Sequence, residues 1–276
     1  MVLPYIIYFL TFVAYPLVFS FVLIFHRWNI VTPMEFIGLK NFVRLFRDEL
    51  FLKSIVNTLI FLSIHIPLQI AIALFFANLL NQNIKLRGFF RALYFLPVVV
   101  SGVVVTILWQ QLYAYETGLI NQILVNSGFK RIPWLVSPEL AMPSIAVMAT
   151  WKNVGLYIVL FLAGLQNIPR ELYEVAEIDG ASGLQKFFKV TLPLLNPTIV
   201  LVIVLSTIGG FSLFIEPYIM TGGGPMDSTL SAMLYIYNQA FYFNHMGYAA
   251  TLGFFFATII FIVILLQRKF IEREVY

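Results

Sequence analysis

Arg170, Glu174 and Glu177 recur at spacings of four and three, so on a helix they form one charged stripe, with Leu172, Val175 and Ala176 on the other face. Gly180, free to take positive φ, ends that helix after Asp179, and Ser182 with Gln185 stands at capping-box spacing to open a second. The second helix sets Leu184, Phe187 and Phe188 on an apolar face and stops before Pro193. Such a hairpin makes no bonds; its chemistry is docking against something soluble. Other chemistries find no residues. His26, His65 and His245 share no metal-ligand spacing, and no Lys-Ser/Thr pair follows the glycines at 222–224 at Walker spacing, so the chain is expected to hold no metal and to hydrolyse no ATP itself. No nucleophile, base and orienting acid share a neighbourhood. The absence of cysteine excludes disulfides and thiolate metal sites.

The elements that carry the hairpin are membrane helices. With 61% hydrophobic residues, 11% charged residues and 28 phenylalanines, a soluble chain would have too little polar surface to cover itself. Crossing the bilayer takes about 20 apolar residues in a helix. Six stretches qualify, at 4–25, 54–80, 92–113, 141–165, 198–219 and 247–267. Backbone groups in lipid must be satisfied internally, so the expected fold is all-α, a six-transmembrane-helix bundle forming a single domain over 1–276 with the hairpin in the loop 166–197. The first stretch lacks a charged leader and is too long for a cleaved signal, so it is read as a retained span. The net charge of +4 reflects loops facing anionic lipid and is no argument for nucleic acid.

Polar groups inside the spans are costly in lipid, so they should face the bundle interior, an aqueous cavity or a partner subunit. Lys152 and Asn153 lie within the fourth span and Glu216 near the outer end of the fifth. Around them Trp109, Trp151, Tyr157, Phe211, Phe214 and Tyr218 are aromatics able to stack on a ligand, or else packing and interface-belt residues. Gly209-Gly210 permits unwinding or close helix contact. The segment 43–51 mixes charged and apolar side chains and reads as one interfacial helix, or as a brace for a docked protein.

The run Ile168-Pro169-Arg170-Glu171-Leu172-Tyr173-Glu174-Val175-Ala176, then Ile178-Asp179-Gly180-Ala181-Ser182 and Leu192-Pro193-Leu194-Leu195-Asn196-Pro197, resembles the EAA loop of binding-protein-dependent ABC importers, with Val175 in place of the first alanine. Thr221-Gly222-Gly223-Gly224-Pro225 with Ser228-Thr229 is similar to carbohydrate permeases of the maltose and glycerol-phosphate type, as are Gly38-Leu39-Lys40-Asn41 and Gly118-Leu119-Ile120-Asn121. The resemblance implies a sugar or oligosaccharide permease with no cofactor of its own. It implies as partners a second homologous permease, two cytoplasmic ATPase subunits that bind the ATP and Mg, an extracytoplasmic solute-binding protein and the sugar. It also makes Glu174, Ala176, Asp179, Gly180, Ala181 and Leu184 the coupling residues, while Trp151, Asn153, Tyr157, Phe211, Glu216 and Tyr218 are the candidate substrate path.

An even number of spans puts both ends of the chain on one side. The loops sharing the hairpin's side carry Lys85, Arg87, Arg91, Arg170, Lys186, Lys189, Arg268, Lys269 and Arg273, denser in cations than the other set, so the hairpin is expected in the cytoplasm. The first span alone argues the reverse, since Arg27 follows it; the later loops and the resemblance decide. The chain is thereby expected to be multi-pass in the cytoplasmic membrane of a bacterium or archaeon. Two other readings stay open: a secondary transporter using Glu216 or Lys152 as an ion relay, and a membrane scaffold whose hairpin recruits a soluble enzyme.

Overall fold

Five apolar runs become helices long enough to cross a bilayer in the computed structural model: Leu3–Leu23, Glu49–Asn81, Pro138–Gln166, Asn196–Met220 and Met246–Ile271. It describes residues 2–82 and 85–272, the side chains of Arg87 and Arg91 excepted; those two side chains and Arg273, counted above among the hairpin-side cations, lie outside the described residues. The second span has 33 residues, about 50 Å of helix, so its charged end with Glu49 and Lys53 projects beyond ~30 Å of hydrocarbon.

The stretch expected at 92–113 is not one straight span. It forms Arg87–Val99 and Gly102–Leu112, bent by 95°. Pro97 cannot donate to the preceding turn, Val98, Val99 and Val100 are β-branched, and Val100 and Ser101 turn extended before the helix restarts at Gly102. The fifth span also breaks, into Asn196–Phe211 and Ile215–Met220. Pro217 has no N–H for the Leu213 carbonyl four residues back, and that carbonyl instead accepts from Ser231 Oγ at 2.6 Å.

The second and fourth spans form the central pair, the third and fifth pack on it, and the sixth lies against the fifth and the first. Near the hairpin, Ala73, Ala77 and Leu80 meet Phe161, Leu165 and Leu195; midway, Phe61, Met148, Phe211 and Phe256 meet; at the far face, Leu45, Phe51, Leu234 and Leu252 close the core. Glycine lets backbones touch, because lipid offers little to drive helices together except close packing. A Cβ on Gly155 would lie 2.2 Å from the Tyr94 carbonyl oxygen, so the fourth span crosses the broken third one with no room for a methyl group. Gly155→Ala is therefore expected to destabilise the bundle by about 1–3 kcal/mol. An unchanged Tm in detergent would contradict that crossing.

The segment 43–51 is two elements, not one helix. A short helix, Lys40–Leu45, ends in a turn, and Asp48 then caps the second span by accepting from the Phe51 N–H at 3.0 Å. An aspartate at that position satisfies one of the orphan N–H groups of the helix end, which ends the interfacial reading at residue 48. The other Asp48 oxygen accepts the hydroxyls of Tyr235 at 2.6 Å and Tyr248 at 2.5 Å. Burial pushes the Asp48 pKa up, but these three hydrogen bonds and the Arg44 guanidinium outweigh it and hold the carboxyl below its ordinary value. A carboxylate depressed in the folded state stabilises it above the unfolded pKa, and that contribution is lost as pH falls through the folded value. Asp48→Ala is expected to lower Tm at pH 7 and to flatten the acid limb of the Tm-against-pH curve. An acid limb identical to the wild type would rule the network out as a stabiliser.

Candidate functional site

Gly180 takes φ +72° one residue past the helix Arg170–Ile178, after its cap residue Asp179. The Gly180 N–H donates to the Glu177 carbonyl at 3.0 Å and the Ala181 N–H to the Ala176 carbonyl at 2.9 Å, the paired bonds that close a helix on a left-handed residue. Two residues on, the Ser182 N–H donates to Gln185 Oε1 at 2.7 Å and the Gln185 N–H to Ser182 Oγ at 3.4 Å, completing the capping box that starts Gly183–Lys186. A π turn over Phe187–Thr191 and a last short turn, Leu192–Leu194, lead into the fifth span.

Two ties fold the hairpin shut. Tyr173 Oη and Thr191 Oγ1 are 2.9 Å apart, and Lys186 pairs with Glu177, whose carboxyl that hydrogen bond and charge hold below the ordinary range. The face turned to the bundle is Tyr173 with Ala176; residue 173 is drawn in by its bond to Thr191. Leu172 and Val175 stay uncovered, and beside them Ile178 is 86% and Leu184 73% exposed. Glu174, Asp179 and Gly180 are also exposed, with Ala176 and Ala181 half-buried. The result is an apolar patch fringed by charge and standing clear of the bundle. Exposed apolar patches rimmed by polar residues mark interaction sites with proteins or membranes.

Within the bundle a cavity of about 250 Å³ opens between the second, fourth and fifth spans. Asn153, Tyr157 and Glu216 line it, together with Lys152, His65 and Ser206. Asn153 Nδ2 donates to the Ala149 carbonyl at 3.0 Å, and His65 Nδ1 lies 2.8 Å from Thr150 Oγ1. Ser206 Oγ donates to the buried Gln69. Gly209 leaves open space on the cavity wall, whereas Gly210 lies against Leu62, where a Cβ would come within 2.3 Å.

Three candidate path residues fall elsewhere. Trp151 is 46% exposed and packs on Trp109, with ring centroids 5.4 Å apart. It precedes Lys152 in sequence, and one residue turns a helix by about 100°, enough to carry its side chain off the cavity side. Phe211 is buried in the central core against Phe256. Tyr218 lies beyond the fifth-span break, half-exposed, stacked on Phe214 at 5.3 Å and edge-on to Tyr237 at 5.7 Å. His65, Ser206 and Ser212 also line the cavity and are not among the expected path residues. The signal for His65 was in the sequence, as an ionisable side chain between Ile64 and Ile66 in an apolar run.

Residues 69–275 match the family described as binding-protein-dependent transport system inner membrane component. The chain is 35% identical over 274 residues to the arabinooligosaccharides transport system permease protein AraP of Bacillus subtilis, covering 96% of this chain and 85% of that one. It is 36% identical over 245 residues to the trehalose/maltose transport system permease protein MalF of Thermococcus litoralis, covering 88% and 82%. Among solved structures it superposes with a TM-score of 0.84 and 26% identity on a chain of a bacterial alginate ABC transporter in complex with an alginate pentasaccharide-bound periplasmic protein, covering 98% and 91%. A match that begins within the second span and runs past the sixth, joined to relatives above 30% identity along nearly the whole chain, shows that this chain belongs to the inner membrane components of binding-protein-dependent transport systems, multi-pass membrane subunits that transport and are not enzymes themselves.

Proposed function

We propose that the chain is one permease of an ABC importer that carries a sugar or oligosaccharide into the cell. The observation that carries this reading is the hairpin, closed by its own turn and cap yet with its apolar face uncovered. A cytoplasmic ATPase subunit supplies the cover. ATP and Mg sit in two such subunits, a second homologous permease completes the pore, and an extracytoplasmic solute-binding protein delivers the sugar, in the cytoplasmic membrane of a bacterium or archaeon. Closure of the ATPase dimer moves the seated hairpin, and the helices that flank it rotate as rigid bodies to open the cavity outward. The hairpin joins the fourth and fifth spans, both of which line the cavity, so the motion has a short route.

The cavity supplies the substrate side. Asn153, Tyr157 and Glu216 present an amide, a phenol and a carboxylate, groups that exchange hydrogen bonds with sugar hydroxyls. At about 250 Å³ it is smaller than pockets that enclose a whole drug-sized ligand, which are ~300–1,000 Å³, as expected of half a path. Glu216→Ala and Asn153→Ala should each remove about 1–3 kcal/mol of substrate stabilisation and lower uptake severalfold, with ATPase association intact. Wild-type uptake in both variants would move the sugar site to the partner permease.

A further inference from the structure

The second span is buried along one stripe, Phe61, His65, Gln69, Ala73 and Ala77, each four residues from the last, and the span packs against the fourth and fifth. Of the polar members of the stripe, His65 lines the cavity and Gln69, one turn nearer the hairpin, does not. The His65 ring is held from two directions. Phe61 stacks on it, with centroids 4.9 Å apart and planes 20° from parallel, and Nδ1 lies 2.8 Å from Thr150 Oγ1 on the fourth span. No carboxylate pairs with the ring among the described residues, and the residue is only 4% exposed. The form that fits is the neutral imidazole, in which one nitrogen donates and the other accepts.

Thr150 decides which nitrogen does which. Its hydroxyl donates to the Ala146 carbonyl, four residues back, at 2.8 Å, so its one hydrogen is spent there and the lone pair that is left takes Nδ1–H from the ring. Nε2 is then a bare acceptor, and it has no partner among the described residues. Gln69 Nε2 is unpartnered too, but it is sealed in the packing, whereas His65 Nε2 is not among the sealed polar atoms and belongs to a ring that lines the cavity. The ring can neither rotate nor exchange tautomers without losing its bond to Thr150. A fixed lone acceptor open to a cavity takes a hydroxyl hydrogen and opposes an oxygen that brings only lone pairs. On the import reading, which this inference rests on, we infer that His65 Nε2 accepts a hydroxyl of the transported sugar and is a specificity-determining residue. At that point of the cavity the substrate presents a hydroxyl, and a carboxylate or an ether oxygen in its place is rejected.

Two amide substitutions separate this role from a structural one. An asparagine amide nitrogen stands close to where Nδ1 stands, so His65→Asn keeps the donation to Thr150 and leaves nothing at Nε2. Glutamine is one carbon longer, so His65→Gln sets its amide oxygen close to Nε2 and gives up the Thr150 bond. The importer is reconstituted in vesicles with its binding protein. The probe is whichever neutral trisaccharide of hexose or pentose units the wild type accumulates fastest, together with its monodeoxy derivatives. His65→Asn should lower uptake by about tenfold and His65→Gln by no more than about twofold. One monodeoxy derivative should enter wild-type vesicles about tenfold more slowly than the parent sugar, and His65→Asn should narrow that gap, although the same binding protein delivers both sugars. Wild-type uptake in His65→Asn overturns the inference and leaves the import reading standing. The reverse order, with His65→Asn tolerated and His65→Gln not, makes His65 a tie between the second and fourth spans and overturns it as well. Equal loss in both variants, of protein or of uptake, means that the bundle needs the ring for its stacking on Phe61, and the inference fails. Uptake of none of these sugars by the wild type removes the import reading and the inference with it.

Discussion

Gly180→Val is expected to leave the permease inserted in the membrane and to lower ATP-driven uptake by about tenfold. No atom lies within 4 Å of where a Cβ would stand, so the substitution causes no clash; the cost is in the backbone, held at φ +72°. A left-handed residue with a side chain costs roughly 1–2 kcal/mol, about a factor of ten in any equilibrium that needs the hairpin in this shape. The strain is relieved only by giving up the paired bonds from Gly180 and Ala181 to the Glu177 and Ala176 carbonyls, which turns the second short helix relative to the first. ATP hydrolysis then continues without matched uptake. The check is the ratio of sugar accumulated to ATP consumed in vesicles containing equal amounts of permease; a wild-type ratio would remove Gly180 from the coupling hinge.

Placing charge on the uncovered patch should be more damaging still. Ile178→Asp and Leu184→Asp put carboxylates where the docking face is apolar and most exposed, and each should weaken ATPase association by about 2 kcal/mol, roughly thirtyfold. Both side chains are largely exposed, so the stability of the permease should change by no more than about 0.5 kcal/mol. Co-purification of the ATPase in detergent reads the first quantity and Tm of the isolated permease the second. Retention of the ATPase by the double variant would show that the cover over this patch is something else.

The hairpin was legible because its signals are local. A residue free to take positive φ at Gly180 and a serine three residues before a glutamine at Ser182 each dictate a helix end through bonds made within a few residues, and the structure contains both. The five unbroken or nearly unbroken spans were legible from length and apolarity alone, with ends within a few residues of those expected except where Asp48 caps the second span early. What was not legible depends on how a helix is rotated against its neighbours. Trp151, Phe211 and Tyr218 have the right chemistry for a sugar path and sit close in sequence to cavity residues, but the helix direction at each carries them to an outer aromatic cluster, the core and the far face. A 141–165 run that is apolar on nearly all sides gives no periodicity from which to set that rotation. The break at Val100 had a signal in Pro97 and the valine run, overridden in a hydropathy reading by the apolarity of the whole stretch.

Uptake by purified components in liposomes tests the central claim most directly. The vesicles hold this chain with its partner permease and ATPase subunits, ATP inside, and the solute-binding protein outside with a labelled oligosaccharide. The account predicts accumulation that requires ATP, the binding protein and both permeases, and that vanishes when this chain is reconstituted alone. Accumulation by this chain alone, without ATP and driven by a proton or sodium gradient, would contradict it and make Glu216 and Lys152 the relay of a secondary transporter.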